Sequence, residues 1–386
     1  MLTKERLFTP GPTPLSPRVQ QALARAIPHH RSEEFRTVFR ECAAGLKDFF
    51  KTRGDVLILS CSGSGGMEAA LVNALAPGER MVALVAGEFG ERWAQIGRAH
   101  GMEVLPVEAP WGEAVPPAAV AEALDRDPKV RAVCVQVSES STGVRHDVEA
   151  LARLTRARSD TLLIVDAISG AGAMPLHTEE WGVDLVVVGS QKALALPPGL
   201  AFVAVSEKAW KKIDVSTAPR YYFDLRRERK GQGEGSAAWT PAISHVMALR
   251  AALDGLAALG GVDGLVRNAA TLAAMTRGAA AALGLPLVAP RDFGDALSAL
   301  YPPRGLEAPA ITKALKSQFA STVAGGQGRL AGKILRIAHL GHYDATDILG
   351  LLGTLEIVLH RLGHRFDLGA GLAAAERAYL ERTAGG

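Results

Sequence analysis

The chain has 386 residues, of which 48% are hydrophobic and 22% charged. This composition excludes a disordered or fibrous protein and predicts two domains, or one large body with an appendage. The 43 Lys plus Arg and 40 Asp plus Glu leave a net charge of +3 that is spread along the chain. Nucleic-acid binding is therefore not expected, because a phosphate backbone is bound by clustered basic residues.

Neither a membrane span nor a signal peptide is expected. Apolar runs such as Leu162 to Val165 are strand-sized, whereas a membrane helix needs about 20 apolar residues. Pro10, Pro12 and Pro14 interrupt the N-terminus before the hydrophobic core of a signal peptide could form. The sequence therefore predicts a cytoplasmic protein.

From Asp55 to about Ser206, short β-branched runs alternate with helical stretches. This pattern predicts an α/β fold with a mainly parallel sheet whose strands are joined by crossover helices. The seven predicted strands are Val56 to Ser60, Met81 to Ala86, Glu103 to Val107, Ala132 to Val137, Leu162 to Asp166, Leu185 to Gly189 and Leu200 to Val205. Several are apolar on both faces, so helices should cover both sides of the sheet.

A second, smaller α+β domain is predicted at the C-terminus. The polar, glycine-rich stretch Arg226 to Ser236 interrupts the alternating pattern, and the amphipathic run Ile243 to Leu259 predicts a connecting helix. After about Gly264 the chain is alanine-rich and helical, with strand-like runs at Leu297 to Tyr301 and Lys333 to Ala338 and a helical region from Ala345. The predicted division is an N-terminal arm at 1–20 that packs with the small domain, a large domain at 21–260 and a small domain at 261–386.

The chain has three cysteines, Cys42, Cys61 and Cys134. Their odd number, wide spacing and lack of a CxxC motif support neither a disulfide framework nor a structural metal site. We interpret them as small buried hydrophobic residues and expect no metal.

A turn rich in small residues, Ser60 to Ala70, follows the first predicted strand and leads into a helix. Such a turn suits a phosphate because glycines admit the anion, the free N–H groups of the first helical turn point at it, and a serine hydroxyl adds a hydrogen bond. The alternative is a tight turn in which a serine caps the helix. The turn is neither a Walker motif nor a dinucleotide fingerprint, since it lacks the lysine of the first and the glycine spacing of the second.

Two charged residues follow other predicted strands. Asp166 stands at the end of an apolar strand, where ligands of open parallel sheets gather. Lys192 follows the next strand in apolar company, and desolvation there lowers a lysine pKa and makes the amine nucleophilic toward carbonyls. The alternatives are a helix-capping aspartate at the surface and a solvated loop lysine.

These three features together are the parts that a pyridoxal phosphate site requires. The small-residue turn would hold the phosphate, Lys192 would form the Schiff base, and Asp166 would keep the pyridine nitrogen protonated. A cationic ring accepts the electrons released when the Cα–H bond of the substrate breaks, and a buried carboxylate stabilises that charge.

Over nearly its whole length the chain resembles a class V aminotransferase of fold type I, in the alanine–glyoxylate and serine–glyoxylate group. The resemblance is carried, in this order, by Pro10-Gly11-Pro12, the segment Ser60 to Leu71, Glu139 to Gly143, Asp166, Ser190 to Leu194 with Pro197-Pro198-Gly199, and Leu335-Arg336-Ile337. It implies a homodimer that transfers an amino group from alanine or serine to glyoxylate or pyruvate, with Lys192 as Schiff base and proton shuttle.

The resemblance also implies residues that bind the cofactor. In addition to Asp166 and Lys192, the implied set is Ser64, Gly65, Gly66 and Gln191 at the phosphate, Phe89 stacked on the ring, Ser140 near the phenolic oxygen, Ile168, and Thr240 donated to the phosphate by the neighbouring subunit. Ala237 or Ala238 replaces an aromatic residue that the family places shortly before Thr240. For Phe89 the alternative is a core position.

For the substrate, the resemblance implies Gly11 and Arg336. A guanidinium is a planar fork with parallel N–H donors, which suits the α-carboxylate; the alternative is a solvated arginine at a strand end. His29, His30 and Arg31 either face the substrate side chain or form a solvated loop. In the first case an acidic donor such as phosphoserine or aspartate becomes the alternative substrate.

Three other functions fit the sequence less well than an aminotransferase does. A cysteine desulfurase needs a mobile cysteine in its second domain, whereas all three cysteines here precede residue 135. A non-catalytic partner protein has no need of both Lys192 and Asp166. An NAD-dependent oxidoreductase lacks the expected acidic residue at a second strand end.

Overall fold

The computed structural model describes residues 4–384. In chain order the strands are β1 (Arg6–Leu7), β2 (Asp55–Leu59), β3 (Arg80–Val85), β4 (Glu103–Glu108), β5 (Val130–Gln136), β6 (Ser138–Glu139), β7 (Val144–Arg145), β8 (Leu162–Asp166), β9 (Leu185–Gly189), β10 (Ala201–Val205), β11 (Leu297–Leu300), β12 (Ser321–Thr322), β13 (Ala324–Gly325) and β14 (Leu335–Ala338).

The helices are α1 (Pro17–Leu23), α2 (Glu33–Phe50), α3 (Gly63–Ala74), α4 (Glu88–Ala99), α5 (Pro117–Arg126), α6 (Val148–Arg156), α7 (Thr178–Trp181), α8 (Glu207–Val215), α9 (Leu225–Gly233), α10 (Ile243–Ala258), α11 (Gly261–Ala282), α12 (Ala308–Phe319), α13 (Ala345–Arg361) and α14 (Ala370–Thr383). One 3-10 turn spans Gly328–Leu330.

The large sheet has seven strands in the order β2-β10-β9-β8-β5-β3-β4, which confirms the predicted α/β fold. All its neighbouring strands are parallel except β10, which is antiparallel to both β2 and β9. The sheet is therefore mixed. The reversal follows from the connection between β9 and β10, because residues 190–200 contain no helix and a parallel return needs a crossover of a dozen or more residues.

Both faces of this sheet are buried, as the apolar strands predicted. Val186 and Val188 of β9 pack on the side that α2 and α10 cover. Their neighbours Leu185 and Val187 pack on the opposite side, with α3 and Trp93 of α4. Because successive strand residues point to opposite faces, a strand enclosed by helices on both sides has to be apolar throughout.

The C-terminal part contains a three-stranded antiparallel sheet of order β11-β14-β13. A separate hydrophobic cluster joins it to α11, α12 and α13. Phe8 belongs to this cluster, and β1 pairs in parallel with β12. These contacts join residues 6–8 to the C-terminal part of the chain. The division into an arm at 1–20, a large domain at 21–260 and a small domain at 261–386 stays a prediction.

The polar stretch at 226–236 is more regular than its glycine content indicated. Most of it forms α9, where Asp224 caps the helix by accepting a hydrogen bond from the Arg226 amide at 3.0 Å. The helix is stabilised by its N-terminal cap and by the arginine, glutamate and lysine that follow, all of which favour helix formation. This stabilisation exceeds the cost of the glycines, which lie toward the C-terminal end of the helix.

Within residues 4–384, no single helix is both long and apolar enough to cross a membrane. One bent pair, α10 with α11 at 75°, passes the test of length and composition together.

Candidate active site

A cavity of about 110 Å³ lies at the carboxyl ends of the central strands. The ends of five strands, β2, β3, β5, β8 and β9, bring side chains to it, because parallel strands of one sheet end at the same edge. The residues that line the cavity are Ser62, Gly63, Ser64, Phe89, Arg92, Ser138, Ser140, Asp166, Ile168, Ser169, Gln191 and Lys192. Most of the predicted cofactor residues therefore come together here.

The first wall is the N-terminus of α3. Ser62 caps this helix, and its hydroxyl accepts a hydrogen bond from the Gly65 amide at 3.4 Å. Ser62, Gly63 and Ser64 line the cavity, so the start of the helix presents its backbone and two hydroxyls to it. This arrangement is suited to bind a phosphate dianion.

Gly65 and Gly66 lie in the same helical turn but are not among the residues that line the cavity. A Cβ on Gly66 would come within 2.8 Å of Val187 Cγ1, so this glycine allows α3 to approach the sheet. Their predicted role at the phosphate stays a prediction. Sequence reasoning missed Ser62 and Gly63, although Ser62 is a favoured capping residue directly before the glycine-rich turn.

Asp166 is buried, with 5% of its surface exposed. Its Oδ1 accepts a hydrogen bond from the Ile168 amide at 2.8 Å, which explains why Ile168 lies beside it in the wall. Burial raises the pKa of Asp166 to about 7, against the lowering effects of that hydrogen bond and of Lys192. A positive ligand group beside the carboxylate would restore its ionised form.

Lys192 lies in the segment between β9 and β10, and its pKa is lowered to about 8, chiefly by burial. Its Nζ donates a hydrogen bond to the carbonyl of Pro10 at 2.5 Å. A Cβ on Gly11 would come within 2.5 Å of the same Nζ, so a glycine is required where the N-terminal arm passes the lysine. Gly11, predicted at the substrate site, thus lies against the reactive amine.

Phe89 and Arg92 stand in the first turns of α4, and both line the cavity. The guanidinium carbon of Arg92 lies 4.7 Å from the ring centre of Phe89. Its Nη1 donates a hydrogen bond to Ser64 Oγ at 3.0 Å. Sequence reasoning missed Arg92, although its spacing of three residues from Phe89 places the two on one helix face.

Arg336 lies on β14 of the small sheet; it does not line the cavity, but it bonds to Ser140, which does. It is 6% exposed, and it donates from Nε to the carbonyl of Gly325 at 2.8 Å and from Nη1 to that of Ser140 at 2.6 Å. Burial lowers its pKa to about 10, while Glu139 acts in the opposite direction. The hydrogen bonds found within residues 4–384 do not use Nη2, which leaves that group for a ligand.

Some predicted residues do not come to the cavity of this chain. Thr240 is exposed in the segment between α9 and α10, so its predicted role across a subunit interface stays a prediction. His29 and Arg31 are exposed between α1 and α2, and His30 is half-buried. None of these four residues is in the cavity wall.

Two buried polar atoms in the wall indicate that the cavity takes a polar ligand. Within the described part of the chain, Ser138 Oγ and Gln191 Oε1 have no hydrogen-bond partner, whereas buried polar atoms are normally paired. The wall also offers a helix N-terminus for a phosphate, a carboxylate for a protonated ring nitrogen and an amine for an aldehyde. This donor set fits pyridoxal phosphate.

Comparison with known proteins identifies the family. Residues 12–290 match the family model for "Aminotransferase class-V". The chain is 40% identical over 380 residues to the "Soluble hydrogenase, small subunit" of Synechococcus sp. (strain PCC 6716), which covers 98% of this chain and 99% of that protein. It is 35% identical to the L-aspartate–glyoxylate aminotransferase of Paracoccus denitrificans, with coverage of 100% and 98%.

A third relative is the serine–glyoxylate aminotransferase of Methylorubrum extorquens, which is 33% identical with coverage of 98% and 97%. Among solved structures, the chain is similar to an aspartate aminotransferase of subgroup IV from Thermus thermophilus. That similarity has a TM-score of 0.86 and 37% identity, and it covers 92% of this chain and 99% of that one. The chain therefore belongs to the class V aminotransferases and is a fold-type I transaminase that uses pyridoxal phosphate.

Proposed function

We propose that this transaminase transfers the amino group of a small amino acid, alanine or serine, to glyoxylate or pyruvate. The observation that carries the substrate assignment is Arg336, a buried guanidinium whose hydrogen bonds in the described residues go to two backbone carbonyls. A buried cation without a carboxylate partner is costly, and the α-carboxylate of the substrate would supply one.

The other residues of the cavity then have separate tasks. When bound, pyridoxal phosphate withdraws electrons from the substrate Cα and carries the amino group between the two substrates. Asp166 would hold a proton on the ring nitrogen, and Phe89 would cover the ring and exclude water. Ser62, Ser64 and Gln191 would bind the phosphate.

Lys192 would move the proton from the substrate Cα. Its pKa is lowered to about 8, so the amine both gains and loses a proton readily near neutral pH, as general acid–base catalysis requires. The same amine is the group that would hold the cofactor through its aldehyde carbon, with water as the leaving group. The Pro10 carbonyl, which accepts a hydrogen bond from the free amine, would hold it once a substrate has released it.

An acidic donor, aspartate or phosphoserine, is the second candidate. Two of the similar proteins are named for aspartate, and the exposed Arg31, with His29 beside it, offers a further positive charge outside the cavity. These residues would act on a second anionic group of the substrate, either in their own subunit or in a neighbouring one.

A homodimer and a cytoplasmic location belong to the same proposal. Thr240 is next in sequence to Trp239, whose ring stacks on Tyr222 with centroids 5.7 Å apart. Tyr221 and Tyr222 are 68% and 46% exposed. An exposed aromatic cluster of this kind supports a contact between subunits, and such a contact would carry Thr240 to the phosphate of the neighbouring site.

The proposed function is tested by a donor panel. The purified protein is loaded with pyridoxal phosphate, and alanine, serine, aspartate and phosphoserine are each offered with glyoxylate and with pyruvate. Visible absorbance follows the first half-reaction, and product analysis follows the second. We expect alanine or serine to give the highest kcat/KM; a preference of more than tenfold for an acidic donor would replace the first candidate with the second.

A further inference from the structure

Glu139 is a fully buried carboxylate at the end of β6, the short strand that follows the central strand β5, with 0% of its surface exposed. Three donors reach its Oε2, namely the amides of Phe89 and Gly90 at 3.1 and 2.9 Å and the Nε2 of Gln136 at 2.9 Å. Ser141 donates to Oε1 from its amide at 3.2 Å and from its hydroxyl at 2.6 Å. Because all of these groups are donors, they stabilise the ionised carboxylate against the cost of burial.

One side of this network fixes the start of α4. Gly87 stands at the N-cap position and makes no side-chain capping bond, so the carboxylate of Glu139 takes that task from a different element. It also places a negative charge at the positive end of the helix. A Cβ on Gly87 would come within 2.6 Å of Glu139 Cδ, which explains the glycine. Glu139 accepts a hydrogen bond from the Phe89 amide, so it directly fixes the backbone position from which the cavity-lining ring extends.

The other side of the network fixes Ser140. This residue lies between Glu139 and Ser141, which are joined to each other by two hydrogen bonds. Its carbonyl accepts the 2.6 Å hydrogen bond from Arg336 Nη1. The carboxylate of Glu139 therefore determines where the acceptor that aims the guanidinium lies.

We propose that Glu139 is a positioning residue that holds the cofactor-stacking ring of Phe89 and the substrate-binding guanidinium of Arg336 in one fixed geometry. The inference rests on the proposed roles of Phe89 and Arg336. The charge of Glu139 also acts on both sides of the cavity, because it raises the pKa of Arg336 and the pKa of Asp166. An uncharged side chain at this position would loosen the ring and the guanidinium together.

The chain contains a matched control. Glu356 is also buried, with 2% exposed, and its carboxylate accepts hydrogen bonds from the amides of Gly369, Gly371 and Leu372 at 2.7 to 3.0 Å. It thus caps α14 from a different element, as Glu139 caps α4. None of the three residues that it holds lines the cavity, whereas Glu139 holds the cavity-lining Phe89. The replacement of Glu356 should therefore cost stability without moving the site.

The test compares Glu139→Gln and Glu356→Gln in the enzyme loaded with pyridoxal phosphate. Visible circular dichroism reports the orientation of the bound ring, a titration gives the cofactor Kd, and single-turnover kinetics give the donor concentration at half-saturation. Glu139→Gln should change the dichroic band and raise both the Kd and the half-saturation concentration about tenfold, since one charge-assisted network serves both groups. Glu356→Gln should leave all three within about twofold of wild type, although its Tm falls.

Ser141→Ala is a milder variant that leaves the carboxylate in place. It removes the 2.6 Å bond to Glu139 and the 3.1 Å bond that the Glu88 amide, at the start of α4, donates to the Ser141 hydroxyl. It should shift the same three measurements in the same direction by a smaller factor, and it decides the matter alone if Glu139→Gln does not fold. The inference is wrong if the variants lower the Tm but keep the dichroic band, the Kd and the half-saturation concentration of wild type. A wild-type protein that turns over no amino donor would instead contradict the proposed function.

Discussion

The two sides of the cavity are held in place over very different distances along the chain. On the cofactor side, Asp166 bonds to the amide two residues later, and Ser62 caps the turn that it begins. On the substrate side, Arg336 bonds to a carbonyl 196 residues away. Local chemistry thus fixes Asp166 and the small-residue turn on the cofactor side. The substrate side depends on the packing of separate elements. The predictions below test this difference, beginning with the largest expected effect.

Lys192→Ala should abolish covalent attachment of the cofactor, because the side chain that reacts with the aldehyde is removed while the core is unchanged. Visible absorbance and borohydride trapping measure the attachment, with the exposed residue change Lys211→Ala as the control. If Lys192→Ala still traps cofactor at the wild-type stoichiometry, the attachment site lies elsewhere.

Asp166→Asn should still bind the cofactor but should lose more than about tenfold in the rate of the first half-reaction, because an amide cannot keep the ring nitrogen protonated. The Asn Oδ1 can retain the hydrogen bond from the Ile168 amide, so the local structure should persist. Single-turnover kinetics with alanine provide the measurement. A loss of less than about tenfold, equal to ~1.4 kcal/mol, would assign the task to another group.

The same variant should change how stability depends on pH before the cofactor is added. The pKa of Asp166 is raised to about 7 from an ordinary value of 3.8, so the folded state holds a proton that the unfolded state has released. Wild-type stability should therefore fall as the pH rises from about 4 to 7. Asp166→Asn should remove this part of the fall, which thermal unfolding at pH 5 and pH 8 measures. Equal slopes in the two proteins would contradict the raised pKa.

Arg336→Lys keeps the charge but replaces a two-pronged donor with a point charge, so the donor half-saturation concentration should rise about tenfold. The cofactor Kd should stay the same, because Arg336 makes no hydrogen bond to Asp166, Lys192 or the small-residue turn. Arg329→Lys, at a side chain that is 75% exposed, is the control. A parallel rise in the cofactor Kd would show that the two sides of the cavity are coupled more tightly than the contacts indicate.

Arg92→Gln should have the smallest effect and would sharpen the comparison within the cofactor side. Arg92 contacts both Ser64 and the Phe89 ring. If its charge serves the phosphate, the Kd for pyridoxal phosphate should rise a few-fold, because Arg92 is one of several groups at the phosphate, while the Kd for pyridoxal stays constant. Equal rises for both compounds would mean that Arg92 acts by supporting Phe89.

The sequence was informative where a signal is local. Apolar runs of strand length predicted the seven strands of the large sheet, and Asp166 and Lys192 were found because each follows such a run. The reversed direction of β10 was not predicted, because the apolar pattern of a buried strand does not indicate whether it runs parallel or antiparallel to its neighbours. The resemblance assigned Ser64, Gly65 and Gly66 to the phosphate and left out Ser62 and Gly63, because several serines and glycines stand in succession there.

Residues whose role depends on distant contacts were harder to predict. Glu139 was noticed only as part of a resembling segment, since nothing in its neighbours reveals the amides of α4, 49 and 50 residues earlier. The role of Arg92 could not be predicted from its sequence neighbours, because its contact with Ser64 forms only where α4 lies beside α3. The resemblance to a family identified Arg336 as a substrate-binding residue. That the Ser140 carbonyl orients its guanidinium could be seen only in the folded structure.

The pairing of β1 with β12 has a consequence for how the protein forms in the cell. Arg6 and Leu7 pair with Ser321 and Thr322, and the carbonyl of Pro10, three residues after Leu7, meets the amine of Lys192. During synthesis these N-terminal residues emerge long before their partners, so the arm has to wait for more than three hundred residues to be translated. Contacts of such sequence separation close slowly. A ribosome-bound chain that stops before residue 321 should therefore hold its reactive lysine with this side of the site still open.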